Sequence, residues 1–174
     1  MNLHFLLRYS DKITQVDTLQ EHMEILKGTG KVIFGKFGIG VSNRVIDIAT
    51  SQIENGICTL LHLYRGKNCV GVFKLFAIKR KLRKNDERYV PYYYKDGLCS
   101  VWFYISDALD FDNYSLGKLR LYNNPTLKPQ LSGMRSLIYV TIESDNGGVE
   151  RSEIATEKEV HIDMHKLYNG GLFD

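Results

Sequence analysis

The reading of the fold turns on residues 57–78: Ile57-Cys58-Thr59-Leu60-Leu61-His62-Leu63-Tyr64, then Arg65-Gly66-Lys67-Asn68, then Cys69-Val70-Gly71-Val72-Phe73-Lys74-Leu75-Phe76-Ala77-Ile78. Two apolar runs flank a short polar connection holding a glycine, the pattern of two antiparallel strands joined by a turn. Upstream of this hairpin the spacing is helical, twice. Thr18 and Glu21 have the spacing of a capping box, Leu19, Met23 and Leu26 follow at helical intervals, and Gly28 and Gly30 stop the run. Ser42 caps a second helix with Val45, Ile46, Ala49 and Ile53 as its buried stripe, ended by Asn55-Gly56. Before each helix stands a short strand. The first covers residues 3–9 and stops at the turn Ser10-Asp11-Lys12; the second covers 31–37, broken by Gly35 and closed by Gly38 and Gly40.

Downstream, residues 98–105 and 136–142 read as two more strands, with an irregular stretch at 110–131 marked by the turn signal Asn123-Asn124-Pro125. The order is β-α-β-α followed by several strands. That order predicts an α+β domain: a small curved sheet or open β-barrel of five to six strands with two or three helices.

The chain has 174 residues, enough to bury a core without disulfide or metal staples. Its 25% charged and 44% hydrophobic composition is that of a folded globular protein rather than a disordered one. No apolar run approaches the roughly 18–20 residues of a membrane span, and Met1 to Ser10 lack the basic region and long apolar segment of a signal peptide. No membrane contact is expected. Cys58, Cys69 and Cys99 are odd in number and lack CxxC spacing, which predicts free thiols in a reducing, cytoplasmic setting. His161 and His165 are four apart, but the Glu that a zinc-protease helix carries beside its first His is missing, so no metal or other cofactor is expected.

The net charge of +3 conceals an asymmetry. Residues 143–174 carry eight acids and three bases, a net of −5, which leaves residues 1–142 with 20 bases and 12 acids, a net of +8. We therefore divide the chain into a basic body, 1–142, and an acidic C-terminal extension, 143–174, that is loosely docked or a linker. A basic body points to a polyanionic partner.

Catalytic motifs are few. There is no G-x-S-x-G elbow, P-loop or dinucleotide-binding glycine pattern. Asp107, Asp110 and Asp112 cluster after a strand and could hold magnesium in a small nuclease, or simply be solvated turn acids. Lys79, Arg80, Lys81, Arg83 and Lys84 place five bases in six residues, suited either to a phosphate backbone or to guarding a sheet edge against aggregation. Aromatic residues follow: Tyr89, Tyr92, Tyr93 and Tyr94, then Trp102, Phe103 and Tyr104. Bases interleaved with aromatic rings suit stacking combined with phosphate neutralisation. In a strand Trp102 and Tyr104 share one face.

Three segments carry a family resemblance: His4-Phe5-Leu6-Leu7-Arg8-Tyr9-Ser10-Asp11, Gly30-Lys31-Val32-Ile33-Phe34-Gly35-Lys36-Phe37-Gly38, and Val101-Trp102-Phe103-Tyr104-Ile105-Ser106-Asp107. In order and content they resemble the EVE/YTH-like branch of the PUA superfamily, over residues 3–142. The resemblance implies a small barrel that holds a modified nucleobase in an aromatic-lined pocket, in RNA or in DNA flipped from the duplex. It also implies service as the recognition part of a modification-dependent restriction or RNA-processing system. By position, Phe34 stands where such domains often show Trp, Trp102 supplies a second wall, and Ser10 and Asp11 offer polar contacts. Lys36 and Tyr104, on the same two strands, complete the expected base pocket.

The expected function is thus non-enzymatic binding of DNA or RNA by one base, with Lys79, Arg80, Lys81, Arg83 and Lys84 along the phosphates and any cleavage left to a nuclease or helicase partner. The alternatives are a magnesium-dependent nuclease and a sensor of a free or cyclic nucleotide.

Overall fold

The computed structural model describes residues 1–11, 15–94, 99–110, 116–133 and 135–143. The architecture is α+β: β1 (His4–Tyr9), α1 (Thr18–Thr29), β2 (Val32–Phe37), α2 (Asn43–Glu54), β3 (Thr59–Arg65), β4 (Asn68–Lys79), β5 (Cys99–Leu109), β6 (Leu119–Leu121) and β7 (Leu137–Ile142), with 3-10 turns at Lys84–Tyr89 and Leu116–Lys118. The seven strands of the described residues form one open sheet in the order β2-β5-β4-β3-β1-β7-β6. The count exceeds the expected five to six because β6 lies inside the stretch read as irregular. Three residues are too few to show a strand period, and β6 is a strand because β7 offers it a partner.

The decisive hairpin forms as read, with Gly66 at φ +63° in its turn and Leu61 opposite Phe73. β3 sits in the middle of the sheet, parallel to β1 and antiparallel to β4. Six of its seven residues are buried, which is why its sequence is a nearly continuous apolar run rather than an alternation. A parallel pair needs a long crossover, and the segment α1-β2-α2 supplies it.

Two helix readings shift by a residue or so. The α1 cap is Asp17, not Thr18: its carboxylate accepts from the Gln20 N–H at 3.0 Å. In α2, Ser42 caps as expected, taking the Val45 N–H at 3.3 Å, but the buried stripe is Val45, Ile48, Ala49 and Gln52, with Ile46 and Ile53 only partly buried. The glutamine is inside because it grips the first strand's approach. Its Oε1 accepts from Leu3 N at 2.7 Å, and its Nε2 donates to Leu3 O at 2.9 Å and Thr59 Oγ1 at 3.0 Å.

Gly35 does not break β2. The strand runs through it, paired with Trp102. A Cβ there would lie 2.6 Å from Trp102 Cζ3 and 2.7 Å from Cys99 Sγ, so glycine is what allows the indole to lie against the strand.

The sheet curls strongly, and the curl makes the site. Between β1 and β2 lie four inter-strand steps, about 19 Å across a flat sheet at about 4.8 Å each. Yet the rings of Tyr9 on β1 and Phe34 on β2 have centroids 6.0 Å apart, and those of Phe5 and Phe103 5.4 Å. Register shifts in β2, β3 and β4 bend the strands toward this shape. The concave face encloses the main core around Phe5, Phe34, Leu61, Phe73 and Phe103, with α2 packed against it. The convex face is covered in two patches: Leu119 and Leu131 over β1, β3 and β7, and Leu82, Tyr89 and Tyr94 over β2 and β5.

Candidate functional site

Where the curl brings the end of β1 against β2, a cleft of about 650 Å3 opens, within the range of small-molecule sites. Its walls come from four places: 7–11 at the end of β1, 34–37 in β2, Arg65 and Gly66 in the hairpin turn, and Tyr94, with Ser136 and Thr18 at the margins. Ser10, Asp11, Phe34 and Lys36, four of the six residues expected in a base pocket, line it together.

The wall is aromatic and braced from behind. Phe34 stacks on His22 of α1, centroids 4.3 Å apart and planes 21° apart, and Tyr9 meets it edge-on. The Nδ1 of His22 lies 2.6 Å from Thr18 O. A carbonyl only accepts, so Nδ1 carries the proton. Nε2 then faces the Tyr94 hydroxyl at 3.1 Å, and that hydroxyl also lies 3.2 Å from Gly35 O. Burial lowers His22 to about 4, the neutral form this tautomer requires, and the same desolvation raises Tyr94 well above its ordinary range.

Cations outnumber acids at the rim. Arg8 donates from Nη1 to Gly133 O at 2.6 Å and Arg135 O at 3.2 Å. Arg65 donates from Nε and Nη2 to Tyr9 Oη at 3.1 and 3.0 Å, and lies 3.7 Å from carboxylate oxygens of both Asp11 and Asp17. Lys36 is buried; its ammonium donates to Phe37 O at 3.1 Å and to Ile39 O, and desolvation lowers its pKa. The one lining carboxylate, Asp11, accepts the Thr18 N–H at 3.0 Å, which ties the end of β1 to the start of α1.

Trp102 and Tyr104 do not belong to this cleft. Because Gly35 pairs with Trp102, Phe34 pairs with Phe103, and strand alternation puts Phe34 and Trp102 on opposite faces. Trp102 packs beneath Gly35 and edge-on to Tyr94 at 5.4 Å, with Ile33 and Tyr104. Tyr104 donates to Asp86 Oδ2 at 2.8 Å. Both rings are core.

The residues that sequence reasoning passed over are Tyr9, Arg8 and Arg65. Arg65 lay in a turn read only as a connection, and no local pattern says that this turn faces β2.

The basic run divides. Lys79 caps the Tyr104 ring at 4.8 Å, and Arg80 donates to Asn43 Oδ1 at 2.7 Å and to Val41 O, so both serve the fold. Lys81, Arg83 and Lys84 are exposed.

Beside the main cleft lies a second of about 400 Å3, formed by residues 36–40 with 135–137 and Tyr139. Among the described residues no three His, Cys, Asp or Glu side chains gather to hold a metal ion. Asp112, His161 and His165 lie outside the described residues. Among the described residues Cys58, Cys69 and Cys99 form no disulfide, and all three are half-buried. Among the described residues no helix is long and apolar enough to cross a membrane. Comparison of the chain with protein-family models, curated proteins and solved structures finds no match in any of the three.

Proposed function

We propose that this protein is a non-enzymatic nucleic-acid-binding module that holds one nucleotide of DNA or RNA in the cleft between β1 and β2. The base lies against the wall of Phe34, Tyr9 and Phe37, and the phosphates face Arg8 and Arg65. A methylated base offers a larger apolar face to such a wall and gains from it. Processing of the bound strand falls to a nuclease or helicase partner.

One observation carries the reading. Residues 10, 11, 34 and 36, distant in sequence, converge on a single nucleotide-sized cleft with an aromatic wall and a cationic rim. The net charge of +8 over residues 1–142 supports a polyanionic ligand.

The test is fluorescence anisotropy with labelled single-stranded DNA and RNA, with and without a methylated base, across a salt series. Arg65→Ala should bind more weakly, and its log–log salt slope should flatten by about 0.7 for the lost phosphate contact. Its melting temperature should barely move, because the side chain is 45% exposed. No binding by the parent at low salt refutes the proposal, and binding of mononucleotides without oligonucleotides favours a free-nucleotide sensor instead.

A further inference from the structure

We infer that the second, smaller cleft takes a neighbouring nucleotide of the same strand, so that the ligand is a single strand with two adjacent bases splayed into two clefts. This rests on the nucleotide reading of the first cleft.

Four observations point the same way. First, the two clefts are contiguous: Lys36, Phe37 and Ser136 line both. Second, the floor between them is held in place. The Lys36 ammonium donates to the carbonyls of Phe37 and Ile39, and Gly38 at φ +78° makes the turn that a side-chain-bearing residue would resist. With its carbonyl bound inward, Ile39 leaves its side chain 86% exposed, the most exposed large apolar residue described. It is an exposed apolar platform at the margin of the cleft, near Arg135, where a base face can lose water on one side while its phosphate stays near charge.

Third, Arg135 lines this cleft and adds a cation that the first cleft lacks. Fourth, the loop leads on to the basic run. Arg80 is bonded to Val41 O and Asn43 Oδ1, immediately after the loop, and fixes there the segment whose Lys81, Arg83 and Lys84 face solvent. A strand leaving the second cleft along this loop meets those three cations. Two concave sites side by side suit unstacked bases, as in single-strand recognition, rather than a stacked duplex.

The experiment is calorimetric titration with nucleoside 5′-monophosphates and with 5′-phosphorylated dinucleotides, in both deoxy and ribo series. The dinucleotide should bind roughly tenfold tighter than its best mononucleotide, within the roughly 5- to 150-fold of one added base contact. Ile39→Ser should abolish that gain while leaving mononucleotide affinity within about twofold and the melting temperature unchanged, since Ile39 packs against little. Arg135→Ala should reduce the gain and its salt dependence. Equal affinity for mono- and dinucleotide, or a full gain in Ile39→Ser, overturns the inference while the first cleft stands. Failure of both ligands to bind overturns the first reading and this one with it.

Discussion

Replacing Phe34 and Trp102 by leucine, separately, is the sharpest test of which ring faces the ligand. Both are only 4% exposed, so alanine at either should cost about 3–5 kcal/mol and confuse unfolding with lost binding. Leucine keeps most of the volume at Phe34. What it removes are two ring pairs, the stack on His22 at 4.3 Å and the edge contact with Tyr9 at 6.0 Å. At about 0.5–1.5 kcal/mol each, the loss is roughly 1–3 kcal/mol. For a chain of 174 residues that lowers the melting temperature by about 2–12 °C.

Leucine at Trp102 leaves a cavity under Gly35 and should destabilise more. Binding should order the two variants the other way. Phe34→Leu loses one base–aromatic contact, about 1–3 kcal/mol or roughly 5- to 150-fold in affinity. Trp102→Leu removes no ring that faces the cleft and reaches it only through Gly35 and Tyr94, so it should lose clearly less affinity than Phe34→Leu. Anisotropy is measured at a temperature where circular dichroism shows both variants fully folded. The reasoning is refuted if Trp102→Leu loses as much affinity as Phe34→Leu, or if Phe34→Leu binds like the parent.

Two further outcomes follow from the same geometry. Burial lowers His22 to about 4, while in the unfolded chain imidazole titrates near 6.5. As pH falls below about 6.5 the unfolded chain takes up the proton first, so stability is lost through the window down to about 4. Between about pH 7 and pH 5 His22 alone should remove about 2 kcal/mol. His22→Phe, which keeps a ring behind Phe34, should show a correspondingly smaller drop in urea unfolding at the two pH values; an unchanged drop would mean that the proton goes elsewhere. Gly35→Ala sets a Cβ 2.6 Å from Trp102 Cζ3 and 2.7 Å from Cys99 Sγ. Overpacking of this kind should cost about 1–3 kcal/mol in the same assay, and a neutral effect would show that the indole moves freely.

The order of elements, the hairpin turn at Gly66, the Ser42 cap and the α+β class were all legible from residues 1–174 alone, because each depends on neighbours a few positions away. Caps and turns satisfy local backbone groups, and apolar spacing reports a local period. The same locality explains the small errors: Asp17 and Thr18 are both good caps, and a three-residue strand such as Leu119–Leu121 has no period to read. Gly35 looked like a break because nothing nearby reveals that Trp102, 67 positions later, rests on it. Gln52 was missing from the stripe read for α2 for a similar reason, its partners being Leu3 and Thr59.

The site divides along the same line. The family resemblance nominated Ser10 and Asp11, just past the end of β1, and Phe34 and Lys36, within β2. Strand alternation likewise put Trp102 and Tyr104 on one face. It could not say which face Phe34 shares, since that depends on whether Gly35 or Phe34 stands opposite Trp102, a register set by side chains meeting across β2 and β5. Nor could it bring Arg65 and Tyr9 to Phe34, because that contact arises from the curl of the whole sheet, which no single strand encodes.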